Sequence, residues 1–460
     1  MVKVVKIFTW LAHSPWLTRE HLIKRRKTLR RNTPSKILAY LAPSVAVLSL
    51  TAAILILSGV NPAGAIPGLT SPSAVDQFLD GAFPETSPNS SPDAEWVAVD
   101  YSAASFVEPI RIVEHPVENR LVVVGKDGIG WTISHEEGAT DKEQFFDIRP
   151  IMHGKSGIGE GGISDIAFHP DFGQAGSPNA SYVYITYRYS PVQSGTFTQN
   201  PTVDGYDRLS RFSVVNGEVD LDTEFVMMHQ FDREQWHIGG DMFFGDDGFL
   251  YISRGDEGNC CNRTISTQRL DGGLWSGILR IDVDQDPTRS HPIRRQPTHP
   301  SEDPTDLGPQ WDESYSQGYF IPNDNPFVDP SGANLEEFFS IGLRHPWTIA
   351  LDPLTNQIWA ADVGNNLGEE INLVDSGDNH QWGYLEGSLP GPIAKPNNVI
   401  GNEEQPIFFY PRAVGQAVIG AGVYRGEKFP ELFGKYVFSD FISGVLWTCL
   451  LYTSPSPRDS

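Results

Sequence analysis

The sequence predicts an all-β protein, a β-propeller preceded by one transmembrane helix, and three observations carry that expectation. Glycine and proline are plentiful, 44 and 35 of 460 residues, and helical periodicity is scarce beyond the first sixty residues. One pattern recurs along the chain: an apolar strand, a turn built on Pro, Asp or Gly, then a second apolar strand. An uncharged apolar run, Ile37 to Val60, follows a basic head. Its length suits one bilayer crossing.

The recurrence is found in "IRIVEHPVENRLVVVGKDG" (Ile110–Gly128) and in Ile163–Tyr187. It returns in the hairpin within "WHIGGDMFFGDDGFLYISRGDEG", then in "WTIALDPLTNQIWAADVG" and in "GAGVYRGEKFPELFGKYVFSD". "LWSGILRIDVD" supplies a strand in the long interval between the third and fourth copies. Units that cannot bury a face alone share one core when they stack radially, so five or six of them point to a propeller. A β-sandwich would not require this repetition. Irregular spacing implies long inserted loops, such as the polar run Gln285–Gln317.

Boundaries follow from composition. Residues 1–36 form a basic cytoplasmic segment carrying about +9, and the remainder carries about −33. That acidity repels a phosphate backbone and excludes nucleic acid as a partner. Residues 37–60 are the transmembrane anchor or signal. Lys24, Arg25, Arg26, Lys27, Arg30 and Arg31 stay in the cytoplasm by the positive-inside rule. Ala63-Gly64-Ala65 resembles a signal-peptidase site, but the long basic leader favours an uncleaved anchor. The propeller is then expected in the periplasm or outside the cell, with a cleaved, secreted form as the alternative. Residues 61–95 are a Pro/Ser-rich linker and 96–448 the propeller. "CLLYTSPSPRDS" (449–460) matches the translation of a common sequencing-library adapter, so this tail reads as non-native and the propeller as truncated.

Loops joining propeller strands converge around a central channel, and three segments there could do chemistry. His237 stands before Gly239 and Gly240; a neutral imidazole can accept a proton, and glycines admit a flat ligand. Taken alone, such a histidine more often just caps a strand. Asp256, in Gly255-Asp256-Glu257-Gly258, emerges at the same hairpin end and could orient that imidazole, or merely make a turn. "GLRHPW" and "DVGNNLGEEIN" offer Arg344 to developing negative charge and the Gly364–Asn366 carbonyls to a hard cation. Their plainer readings are an ion pair and an ordinary loop.

The order of these motifs resembles the glucose/sorbosone dehydrogenase family, which includes soluble quinoprotein glucose dehydrogenases and aldose sugar dehydrogenases. "GGISDIAFHPDF", "RLSRF", the Trp236–Gly258 stretch, "GILRIDVD", "IPNDNPF", "IGLRHPWTIALDP" and "DVGNNLGEEINLV…WGYLEG" carry it over roughly residues 105–447. The resemblance implies a six-bladed β-propeller binding pyrroloquinoline quinone (PQQ) and calcium. It implies His237 as catalytic base, Asp256 as the acid that orients it, and Arg344 beside the quinone. Gly364 and Asn365 match positions whose carbonyls bind calcium, and Arg425 matches a contact to a cofactor carboxylate. The implied reaction oxidises an aldose sugar at C1 to a lactone by hydride transfer to the quinone. An external electron acceptor completes the cycle.

The chain departs from that pattern. Glu160 stands where PQQ-binding relatives often have glutamine, and His345 where they have asparagine. Both positions belong to the implied cofactor-binding set. Asn365 replaces a proline, and Ser443 falls near a position where soluble glucose dehydrogenases have an arginine for the cofactor. An added acid and a lost base weaken binding of a tricarboxylate. Cys260-Cys261 could form a vicinal disulfide, as in eight-bladed quinoprotein alcohol dehydrogenases, or remain loop thiols. Two other functions stay open: a non-catalytic glycan- or protein-binding propeller, as in Hedgehog-interacting-protein-like relatives, and a calcium-dependent lactonase.

Overall fold

The computed structural model describes residues 100–152, 160–189, 205–232, 236–258, 267–298 and 314–450. The basic segment, the apolar run, the linker up to Asp100, Cys260-Cys261 and residues 451–460 lie outside the described residues. Among the described residues, no helix is long and apolar enough to cross a membrane.

Five antiparallel meanders follow one another along the chain. The first runs Pro109–Glu114, Arg120–Gly125, Ile129–Ser134 and Glu143–Asp147. The second runs Ile163–Phe168, Tyr182–Tyr189, Gly205–Val215 and Glu218–Asp232, with Tyr315–Ser316 added at its edge. In the third, Met242–Phe244, Leu250–Arg254, Gly277–Ile281 and Phe338–Ile341 pair in order. The strand in "LWSGILRIDVD" is therefore the third strand of this sheet, not a separate unit. The fourth comprises Pro346–Leu351, Ile358–Asp362, Gly368–Val374 and Phe408–Pro411, and the fifth Val418–Val423, Lys435–Asp440 and Leu446–Leu450. The resemblance implies six blades; five such sheets occur among the described residues.

Strand alternation explains how the sheets stack. In Arg120–Gly125, Val122 and Val124 point into a cluster shared with Ile163, Val183 and Ile185 of the second sheet. Leu121 and Val123 point the other way, under Tyr101 and Phe106. The second and third sheets share Tyr184, Met227, Leu250 and Leu279. The third and fourth share Tyr251, Ile278, Ile349 and Ala360. Between the fourth and fifth, Trp359 stacks on Tyr436 at 4.4 Å, and Cys449 is buried beside Trp447. Each interface is a sandwich core, repeated around an axis.

The first strand of every sheet lines a central cavity of about 820 Å³, reached through Ile112, Ile166, Met242, Ile349 and Gly422. Within it the Arg111 guanidinium lies 3.8 Å from Asp165 and 3.6 Å from Asp241, tying three sheets together at the axis. All five inner strands run in one direction, so loops that precede them share one face of the wheel. Loops that follow them share the other.

Trp359 is the more deeply buried of the two tryptophans at the junction of the fourth and fifth sheets, 1% exposed. Trp359→Ala is expected to cost about 3–5 kcal/mol. Urea denaturation of the purified chain measures this; a midpoint unchanged from wild type would contradict the packing described.

Candidate active site

His237 and Arg344 precede the inner strands of neighbouring sheets, and Asp256 and Gly364 follow second strands. Topology alone therefore brings all four to one face. The sequence makes close approach possible with two glycines. A side chain at Gly240 would meet the Trp347 carbonyl oxygen at 2.1 Å, and one at Gly255 the His237 carbonyl oxygen at 2.0 Å. A larger residue at 240 would push the third sheet from the fourth at the channel mouth, and one at 255 would push the His237 backbone from the turn that carries Asp256.

His237 holds a left-handed backbone, φ +58°, rare for a residue with a side chain. Its amide donates to Glu160 Oε2 at 2.6 Å, and its Nδ1 lies 2.5 Å from Asp256 Oδ1. The Trp382 indole donates to Asp256 Oδ2 at 2.7 Å, and the Asp256 amide donates to the Arg344 carbonyl at 2.9 Å. Burial works against the Asp256 charge, yet His237, Arg344 and these bonds hold its carboxyl down at about 2. An ionised Asp256 requires the proton on Nδ1, which leaves Nε2 of a neutral His237 with a lone pair. Burial lowers the His237 pKa, against the pull of Asp256, so the ring is neutral near pH 7.

Arg344 is placed from the other side. Asp362 accepts its amide at 2.9 Å and that of His345 at 2.6 Å. Arg344 Nη1 donates to the Val363 and Gly364 carbonyls at 2.8 Å each, and the guanidinium lies 5.4 Å from the Trp382 ring centroid. Its Nε is buried with no hydrogen-bond partner. The Glu386 carboxylate gathers the amides of Asn365, Leu367 and Gly368 at 2.7–3.1 Å through Oε1, and that of Asn366 through Oε2 at 3.4 Å. Because a trans peptide points N–H and C=O in opposite directions, the Gly364 and Asn365 carbonyls turn away from Glu386. Gly364 O is indeed found against Arg344.

Glu160 and His345, two of the departures from the family pattern, meet each other. Glu160 Oε2 lies 3.1 Å from His345 Nε2, and the His345 ring stacks on His237 at 4.7 Å. Burial opposes the Glu160 charge, but His345 and His237 hold its carboxyl at about 2. Arg425 does not join this group. It follows its inner strand, lines the opposite end of the channel, and pairs with Asp352, Nε to Oδ1 at 2.8 Å. Ser443 sits in a turn, its amide donating to Asp440 Oδ1 at 2.7 Å. Trp382, Asp362 and Glu386 take parts that residue type did not reveal. The segments holding them, "WGYLEG" and "DVGNNLGEEIN", were visible. Lys126, at the end of the second strand of the first sheet, was not signalled; burial lowers its pKa while Glu108 and Glu160 raise it.

The fold and site thus define a propeller with a buried imidazole–carboxylate pair and a guanidinium gathered at one channel mouth. The profile of the Glucose / Sorbosone dehydrogenase family matches residues 109–302 and 316–453, and the chain belongs to that family. It is 29% identical over 278 residues to aldose sugar dehydrogenase YliI of Escherichia coli (strain K12), covering 59% of this chain and 60% of that one. It is 26% identical over 331 residues to the Hedgehog-interacting protein of Homo sapiens, covering 70% of this chain and 39% of that one. The chain therefore spans less than two thirds of the length of these relatives. A solved structure titled "glucose dehydrogenase" superposes with a TM-score of 0.52 at 20% identity, covering 75% of this chain and 84% of that chain. It supports the propeller fold.

Nitrogen-15 spectra of the imidazoles at pH 7 are expected to show His237 neutral and protonated at Nδ1. Its titration midpoint should lie below the ordinary 6.5. In Asp256→Asn the Nδ1–H preference should be lost and the midpoint should fall further, because a charge that raises the pKa is gone. A wild-type midpoint above 6.5 would contradict the geometry.

Proposed function

We propose that this chain is a PQQ- and calcium-dependent dehydrogenase that oxidises aldose sugars at C1 to lactones. The observation that supports this most directly is the pairing of neutral His237 with ionised Asp256 beside Arg344. The donor set fits the cofactor. Arg344 Nε is a buried, uncommitted donor for an anionic group, and Lys126 adds a second cation on the same face. The Gly364 and Asn365 carbonyls turn to one side, and a carbonyl oxygen bonded once keeps a second lone pair for a hard cation. Bound PQQ would supply the two-electron acceptor for the C1 hydride, and calcium held by Gly364 and Asn365 would polarise it.

The chain's own residues do the rest. His237 Nε2 takes the proton of the anomeric hydroxyl, and Asp256 stabilises the imidazolium that results. Trp382 keeps Asp256 from rotating away. Arg344 places positive charge where negative charge develops, and its two carbonyl bonds fix the guanidinium plane. An external electron acceptor must then reoxidise the site. We place the propeller outside the cytoplasm, membrane-anchored through residues 37–60, on the basic-then-apolar order of the N-terminal sequence.

Reconstitution with PQQ and calcium, followed by dye reduction with a panel of aldoses, is expected to give turnover. His237→Ala should lower kcat by about 100-fold or more. No turnover with any aldose, or wild-type rates in the variant, would defeat the reading. A second reading, a binding propeller without redox chemistry, draws on the Glu160–His345 pair at the mouth. It would be selected if calorimetry found no PQQ binding but did find binding of a glycan.

A further inference from the structure

Glu160, His237 and His345 each offer one ligand atom, and these atoms lie within 4.8 Å of one another. They come from three different sheets: Glu160 precedes the second inner strand, His237 the third and His345 the fourth. None is adjacent in sequence to another, so the cluster exists only because the second, third and fourth sheets pack side by side. We propose that these three side chains form a binding site for a divalent transition-metal ion of the zinc type, separate in chemistry from the carbonyl site suited to calcium.

Four features support it. The donor set, two imidazoles and one carboxylate, suits zinc, cobalt, nickel or iron(II) and not calcium, which takes oxygen ligands. The distances are near those required. Tetrahedral ligands at about 2.0–2.1 Å from zinc stand about 3.3–3.4 Å apart. Glu160 Oε2 and His345 Nε2 are already 3.1 Å apart. His345 Nε2 is buried without a hydrogen-bond partner. His345 itself is 5% exposed and His237 9%, so both rings are nearly withdrawn from water. Finally, the surroundings of His237 are those of a metal-bound imidazole. Asp256 occupies Nδ1 at 2.5 Å, which fixes the tautomer and leaves Nε2 for a ligand.

Three protein ligands leave a fourth position for water or substrate. If the dehydrogenase reading above is right, an ion here takes the lone pair on His237 Nε2 that proton abstraction needs. Metal occupancy and sugar oxidation would then exclude one another at this histidine. The substitutions at 160 and 345 thus have a common consequence. Neither alone completes a ligand set, and together with His237 they do.

The test uses the full chain in detergent, stripped with chelator and free of PQQ. Cobalt(II) titration is expected to give visible d–d absorption of a four- or five-coordinate site, saturating at one ion per chain and displaced by zinc. The double variant Glu160→Gln/His345→Asn removes two ligands while nearly keeping side-chain size. It should lose the band and bind zinc at least about 100-fold more weakly, with an unchanged melting temperature. Asp256→Asn should weaken zinc by about 10–100-fold, since it removes the partner of Nδ1 and not a ligand. If the double variant misfolds, His345→Asn alone carries the same expectation. Absence of the band in the wild-type protein, or equal zinc affinity in the variants, overturns the inference. PQQ binding measured separately on the metal-free protein distinguishes this failure from failure of the dehydrogenase reading.

Discussion

Each of the first four described sheets has two apolar faces, and neither can be left in water. That constraint governs the whole molecule. Val122 and Val124 need the second sheet as much as Leu121 and Val123 need the cover of Tyr101 and Phe106. The same division recurs in the third sheet, where Ile278 faces the fourth sheet and Leu279 faces the second. Burial of this kind is non-directional. Strand alternation gives it direction, because residues one position apart serve opposite neighbours.

Radial stacking makes the candidate-site face a consequence of packing. Once the inner strands run together around the axis, the residues before them must converge, whatever their separation in sequence. Glu160, His237 and Arg344 are brought to one mouth in this way. The glycines set how near they come: Gly240 lets the third sheet touch the backbone at Trp347, and Gly255 lets the Asp256 turn lie on His237. The carboxylates beneath are then buried, and their charge survives only because cations and amides surround them. Asp362 is the contrasting case. Despite two amide donors and the nearby Arg344 guanidinium, burial raises its carboxyl to about 6.

Much of this was legible from residues alone. The five strand–turn–strand units are the inner halves of the five sheets, and the hairpin in Met242–Arg254 was visible as alternation about an Asp-Asp-Gly turn. The His237–Asp256 pair was also legible, because an antiparallel hairpin returns its two ends to one place. Arg425 shows where such reasoning stops. Motif order put it with the cofactor residues, but it follows its inner strand while His237 precedes one, so the channel lies between them. Trp382 and Glu386 come from a loop whose path no local pattern specifies.

The amino-acid sequence by itself determined the class of fold, the acidic character of the exterior, and the residue types able to move a proton. These depend on composition and on periods of two residues, which are local. Tertiary structure alone decided which acid meets which base. Glu160 and His345, far apart in the chain, become partners at 3.1 Å because the second and fourth sheets flank the third at one end of the axis. Local pattern cannot carry that information, for a contact across the channel depends on how every sheet between its two residues is packed.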